Sequence, residues 1–159
     1  MVISYLKLTN FRNYSRLDLE LGPKMTVMIG KNAEGKTNIL ESICVLALTK
    51  TYKTGIEPNL ISFDKKSCRL RAKVKLNKVV KNLEITITPG KKTLKINKDE
   101  VKKISDYISN LNIIVFTPED LEIIKGSPSI RRNLLNIELS QISTKYLNTY
   151  NEYNKILKM

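Results

Sequence analysis

Two stretches near the start of the chain alternate apolar and polar side chains at every second position. Leu6 and Leu8 alternate with Lys7 and Thr9, and Leu17, Leu19 and Leu21 alternate with Asp18 and Glu20. A strand turns successive side chains to opposite faces, so this period predicts strands over 1–9 and 15–21, each with one wet face. Phe11, Arg12, Asn13 and Tyr14 join them as a turn, and Gly22-Pro23 makes a second turn. The same period returns over 68–97. Leu70, Ala72, Val74 and Leu76 alternate with Arg69, Arg71, Lys73 and Lys75; Leu83, Ile85 and Ile87 alternate with Glu84 and Thr86. With the Pro89-Gly90 turn and a third run over 93–97, this predicts three antiparallel strands with one basic face.

Other stretches are apolar without alternation. Residues 25–29 and 113–116 have the length of buried strands, the second ending at Pro118, which has no N–H to offer a ladder. Residues 38–48 read as an apolar helix, and 101–110 as an amphipathic one with Val101, Ile104, Tyr107, Ile108 and Leu111 on one side. Helical turns are expected over 59–63 and 121–125. Ser127 caps a further helix with Pro128 at its first position. From 128 to 159 the pattern predicts a long helical stretch, straight or kinked, with a seam of Leu135, Leu139, Ile142, Tyr146, Tyr150, Tyr153 and Leu157. At ~1.5 Å per residue it would reach ~48 Å, more than a domain this small can cover. The stretch therefore reads as the start of a larger helical unit: either the chain is a fragment, or a partner chain supplies the rest.

Between the expected strand at 25–29 and the expected helix at 38–48 lie Gly30, Lys31, Asn32, Ala33, Glu34, Gly35, Lys36 and Thr37. They fit G-x-x-x-x-G-K-[ST], the Walker A phosphate loop. Gly30 and Gly35 permit a tight bend and a close backbone approach. The loop amides and the helix N-terminus then face a β-phosphate. Lys36 reaches the β- and γ-phosphates, and the Thr37 hydroxyl ligates Mg²⁺. Strand, loop and helix follow in the order this chemistry needs, so ATP with Mg²⁺ is the expected cofactor.

Composition changes the picture in three ways. The chain has 159 residues, the size of one domain, and no apolar run long enough to span a membrane. Two distant cysteines, Cys44 and Cys68, read as reduced thiols, and a cytoplasmic location is expected. With no histidine, His-based catalysis and His-ligated metals are excluded. Lys and Arg number 28 against 15 acids, a formal charge of +13. That excess favours a polyanionic partner, nucleic acid before membrane surface, although a lysine-rich solvated surface would look the same. The basic loop from Thr49 to Gly55 has the same two readings.

Hydrolysis needs a Walker B carboxylate at a strand end. Glu119 and Asp120 are the candidates after 113–116, but Thr117-Pro118 intervenes, so they are expected to cap the next turn or to face the nucleotide from the side. No Leu-Ser-Gly-Gly-Gln signature is present; Glu138-Leu139-Ser140-Gln141 lacks its glycines. No catalytic residue is assigned.

Several blocks carry a family resemblance. Leu8-Thr9-Asn10-Phe11-Arg12-Asn13-Tyr14 and the Walker loop with its Thr37-Asn38-Ile39-Leu40-Glu41 continuation resemble the ABC-type ATPase heads of the RecF, SMC and Rad-fifty group. Phe116-Thr117-Pro118-Glu119-Asp120-Leu121, then 125–132, then 138–141 are similar to the RecF family of bacterial recombination mediators. Ala33 stands where glycine is frequent, Tyr52-Lys53 where His-Arg is common, and Ile130 where a polar residue is usual. Family members generally run to about twice this length.

The resemblance implies an α/β P-loop NTPase fold. Residues 1–127 would be lobe I with an antiparallel β insertion at about 68–97, and 128–159 the start of helical lobe II. It places Arg12 near the phosphates and Asn13 beside the nucleotide, with Asn38 in the binding stretch. It puts 116–120 in a nucleotide-sensing loop and 50–53 in a DNA-facing loop. It implies an ATP-dependent homodimer and DNA binding to single- and double-stranded DNA at gaps or junctions. It also implies partner mediator proteins, and roles in repair, replication-gap recombination and the SOS response. The family's weak DNA-dependent ATPase activity is not expected from this stretch alone, since Walker B and the signature fall outside it. The alternatives are a small P-loop nucleotide kinase, with Arg131 and Arg132 in a lid, and a non-hydrolysing basic DNA-binding fragment.

Overall fold

The computed structural model describes residues 1–52 and 57–158, without the side chains of Glu57, Pro58, Glu119 and Glu122. The alternating stretches all become strands: β1 (Val2–Phe11), β2 (Tyr14–Glu20), β3 (Cys68–Leu76), β4 (Val79–Thr88) and β5 (Lys91–Ile96); a sixth strand, β6 (Asp99–Val101), is not among the expected ones. They form a single antiparallel sheet in the order β2-β1-β3-β4-β5-β6. β3 pairs directly with β1, Leu8 facing Leu70 and Lys7 facing Arg71, so the expected three-strand run is continuous with the first hairpin.

Burial follows the period of two. Leu6, Leu8, Leu70, Ala72, Val74, Leu83, Ile85, Ile87 and Leu94 line the inner face and are all buried. Helix α1 (Lys36–Leu48) covers that face with Ile39, Val45 and Leu46. Helix α2 (Ile104–Ile108) adds Tyr107. Fully burying one such Leu contributes about 1.5–3 kcal/mol. The outer face is the expected basic one, but it is partly charge-paired: Arg71 and Arg69 share Glu84 at 2.5 and 3.8 Å. Lys7 and Arg16 reach Asp18 at 2.9 and 2.7 Å.

Four expectations from the pattern need correction. Residues 25–29 form no strand; Ile29 is 92% exposed. Residues 113–116 form none either, with Ile114 and Phe116 both 82% exposed. An apolar run becomes a buried strand only where neighbouring strands supply N–H and C=O groups along its length, and no described strand pairs with either run; of their residues, Met28 and Ile113 alone pack against the core. The helix expected over 101–110 shrinks, because Val101 is taken by β6 opposite Leu94. The Asn110 side chain then donates to the carbonyls of Asp106 and Tyr107, ending α2.

The long helix is two: α4 (Pro128–Ile142) and α5 (Thr144–Ile156). Ser143 between them is extended (φ −130°, ψ 109°), and its hydroxyl accepts from the Tyr146 N–H at 3.1 Å. This local bond offers the backbone an alternative to continuing the helix. The Tyr146 hydroxyl donates back to Asn136 at 2.6 Å, closing the corner. The expected seam stays largely in solvent, with Leu135, Leu139, Ile142, Tyr153 and Leu157 exposed; Ser140, Gln141 and Leu147 are the buried positions. Between Pro118 and Lys125 the chain makes a 3₁₀ turn (Pro118–Leu121) and a short α3 (Glu122–Lys125). Ser127 sits before α4 as expected, though its hydroxyl meets Ser129 instead of capping the helix.

Candidate nucleotide site

The loop 30–37 bends where its residues allow. Gly35 takes a left-handed φ of +102° and Ala33 one of +67°. For alanine that conformation costs roughly 1 kcal/mol, so small size alone does not make the glycine replacement free. Lys36 curls back over the loop. Its ammonium donates to the carbonyls of Gly30 at 2.6 Å and Lys31 at 2.5 Å, which pins the charge at the loop's mouth. Helix α1 starts at Lys36 with no side-chain cap and no acid in its first turn. Its first amides and its positive dipole end are thus left for an anion.

Asn32, Ala33, Gly35, Lys36, Thr37 and Asn38 line a cavity of about 250 Å³. Glu34 is absent from this lining. Its carboxylate turns to the Lys31 N–H at 2.8 Å and blocks the space a Cβ on Gly30 would need. The expected donors Lys36 and Gly35 and the expected metal ligand Thr37 are therefore brought together, while Glu34 braces the loop from outside.

The β1–β2 turn leans on the loop. The Asn13 amide donates to the Glu34 carbonyl at 3.2 Å and accepts from the Asn38 amide at 2.9 Å. The Tyr14 hydroxyl reaches the same Glu34 carbonyl at 3.4 Å. Burial, with the nearby Glu34 carboxylate second, raises the Tyr14 pKa and keeps the phenol a donor. Arg12, expected near the phosphates, turns its guanidinium to α1. Its Nε and Nη2 grip the two oxygens of Glu41 at 3.0 and 2.7 Å, and Nη1 donates to the Asn59 carbonyl at 2.9 Å. Glu41 is fully buried on α1, and Thr51 also donates to it at 2.6 Å. This contact was missed in the sequence, where Glu41 is simply the fifth residue of the Thr-Asn-Ile-Leu-Glu run.

A second cavity of about 580 Å³ adjoins the first, with Asn38 lining both. Arg12, Asn13, Asn59, Ile61, Ser62, Phe63, Lys65 and Pro89 complete its wall. Phe63 is exposed there.

Asp120 does what the capping reading expects. Its carboxylate accepts from the Thr117 N–H at 2.5 Å and the Thr117 hydroxyl at 3.0 Å, closing the 3₁₀ turn. The Glu119 side chain lies outside the described residues, as do Lys53, Thr54, Gly55 and Ile56 of the loop expected to face DNA. Lys31 and Asn32 are exposed on the loop's outer rim.

A family model described as AAA domain matches residues 5–159. The chain belongs to the AAA domain family. Within it, the chain is 41% identical over 158 residues to the "DNA replication and repair protein RecF" of Listeria welshimeri, covering 99% of this chain and 43% of that protein. It is 43% identical to the protein of the same description from Pediococcus pentosaceus, covering 99% and 42%. A solved structure of the recombination mediator protein RecF-ATPrS in the RecFOR pathway superposes with a TM-score of 0.93 at 30% identity, over 99% of this chain and 43% of that one. A chain from work on ATP-driven dimerization and DNA-stimulated activation of SMC ATPases shares the fold, with a TM-score of 0.67 at 18% identity over 89% and 99%. The α/β P-loop ATPase fold and the likeness to RecF expected from the motifs both hold. The chain spans less than half the length of these RecF relatives. Among the described residues, no helix is long and apolar enough to cross a membrane.

Proposed function

We propose that this chain is the ATP-binding part of a RecF-type DNA replication and repair protein. The observation that carries the reading is the cup at 30–37. A bent loop, an uncapped helix start and the Lys36 ammonium converge on one cavity. Lys36 and the amides at the start of α1 bind the β- and γ-phosphates, and Thr37 offers the hydroxyl for Mg²⁺. Magnesium supplies charge neutralisation between phosphate oxygens when bound. The adjoining 580 Å³ cavity, walled by Asn13, Asn59 and Phe63, has room for the nucleoside end. Arg12 lines it while holding Glu41, so it contributes from the side and not as a free phosphate clamp.

In the whole protein this head binds DNA in the cytoplasm, closes into an ATP-dependent homodimer and works with mediator partners in recombination, repair and the SOS response. Residues 1–127 form its first lobe and 128–159 begin the second. The charge of +13 supports polyanion binding, tempered by the pairing of Arg69, Arg71, Lys7 and Arg16 with acids.

Titrating a fluorescent ATP analogue into the chain and into Lys36→Ala tests the reading. Binding that requires Mg²⁺ and vanishes in the variant is the expected result; equal affinity in both overturns it. DNA binding is checked over a salt series, where phosphate contacts give a steep negative slope.

A further inference from the structure

Arg12 is held more tightly than a turn residue needs to be. Its φ of +53° is left-handed, an uncommon conformation for a non-glycine residue, and it persists only when its surroundings impose it. Here they do. Its N–H donates to the Leu60 carbonyl at 2.9 Å, and its own carbonyl accepts from the Ser62 hydroxyl at 2.7 Å. Its guanidinium grips both oxygens of Glu41. Glu41 is fully buried on the helix that follows the phosphate loop. A carboxylate there needs a cation and hydrogen-bond donors, and an aliphatic residue would cover the core more cheaply. The next two residues of the turn, Asn13 and Tyr14, meet the loop at the Glu34 carbonyl. A Cβ at Gly35 would come within 2.6 Å of the Asn13 amide, which shows how closely the turn sits on the loop.

We propose that Glu41 is a positioning residue of the nucleotide site. Through Arg12 it fixes the β1–β2 turn, and through Asn13 and Tyr14 that turn sets the curvature of the loop at Glu34 and Gly35. Glu41 touches no phosphate; it acts two steps away. Its value for ATP binding rests on the nucleotide reading above, but its effect on loop geometry does not.

The test uses Glu41→Gln, which keeps the shape and removes the charge, with Asn13→Ala and the double variant. In the ligand-free chain, Glu41→Gln is expected to shift the backbone amide resonances of Gly35 and Lys36, a signature that mere loss of stability does not produce in the folded state. ATP affinity is expected to fall roughly tenfold in each single variant, and the double variant to be little worse than either, as two links of one path require. If Glu41→Gln does not fold, Arg12→Lys takes its place: it keeps a cation for Glu41 but loses the two-oxygen grip, and the same shifts are expected. Unmoved Gly35 and Lys36 resonances overturn the proposal, and so do additive losses. Absence of ATP binding in the parent chain would instead strike the nucleotide reading, leaving the resonance test to decide this one.

Discussion

The side chain of Gln141 pairs with the backbone of Ile113 as a neighbouring strand would. Its Oε1 accepts from the Ile113 N–H at 2.8 Å, and its Nε2 donates to the Ile113 carbonyl at 3.0 Å. Gln141 is buried on α4, so this one residue ties the helical end of the chain to the segment at 113–116. Gln141→Leu keeps the volume but leaves both Ile113 groups unpaired. We expect a loss of about 1–3 kcal/mol, read as a lower urea midpoint with an unchanged m-value. A midpoint equal to that of the parent would show that water replaces the pair at no cost.

Gly35→Ala should damage the loop by a different route. The position has φ +102°, and the new methyl would press on the Asn13 amide and the Tyr14 hydroxyl, both at under 3 Å. Those side-chain ends can swing away, but only by giving up the Glu34 carbonyl. The left-handed backbone costs roughly 1–2 kcal/mol whichever way they move. Weaker ATP binding together with a lower unfolding temperature is the expected pair of results; full affinity would mean that the turn is not needed against the loop.

Cys44 and Cys68 are both buried and free. Burial, with the Glu41 charge second, pushes the Cys44 thiol up to about 12, and burial pushes Cys68 up to about 11. Raised pKa values mean less thiolate at any pH below them, and thiolate is the reacting species. Near pH 8 a disulfide reagent should modify neither residue in the native chain and both in urea. Rapid labelling of the folded chain would contradict the packing.

Ile29→Thr and Val27→Thr should change the stability of this chain by no more than about 0.5 kcal/mol, because both side chains stand in solvent. A buried strand at 25–29 would lose several times that. Chemical denaturation separates the two cases directly.

Much of this was legible before any coordinates. The alternation of Leu70, Ala72, Val74 with Arg69, Arg71, Lys73 marks a strand and its inner face, and all three apolar residues are buried. The spacing of Gly30, Gly35, Lys36 and Thr37 marks the cup. Both are local properties: a period of two and a fixed loop length do not depend on what lies across the fold. The break at Ser143 was less legible. Its signal is a serine three residues before Tyr146, inside a pattern whose apolar spacing continues unbroken, and the capping bond won over the period.

The Glu41–Arg12 grip, the Gln141–Ile113 pairing and the absence of strands at 25–29 and 113–116 depend on which neighbours the folded chain supplies. Glu41 and Arg12 are far apart in sequence, and nothing in either stretch says that one carboxylate will be buried and the other cation turned toward it. An apolar run likewise states a need for cover without saying whether cover arrives. Residue type and spacing set the demands of each segment; the packed chain settles which demands are met, because pairing and burial are properties of two surfaces and not of one.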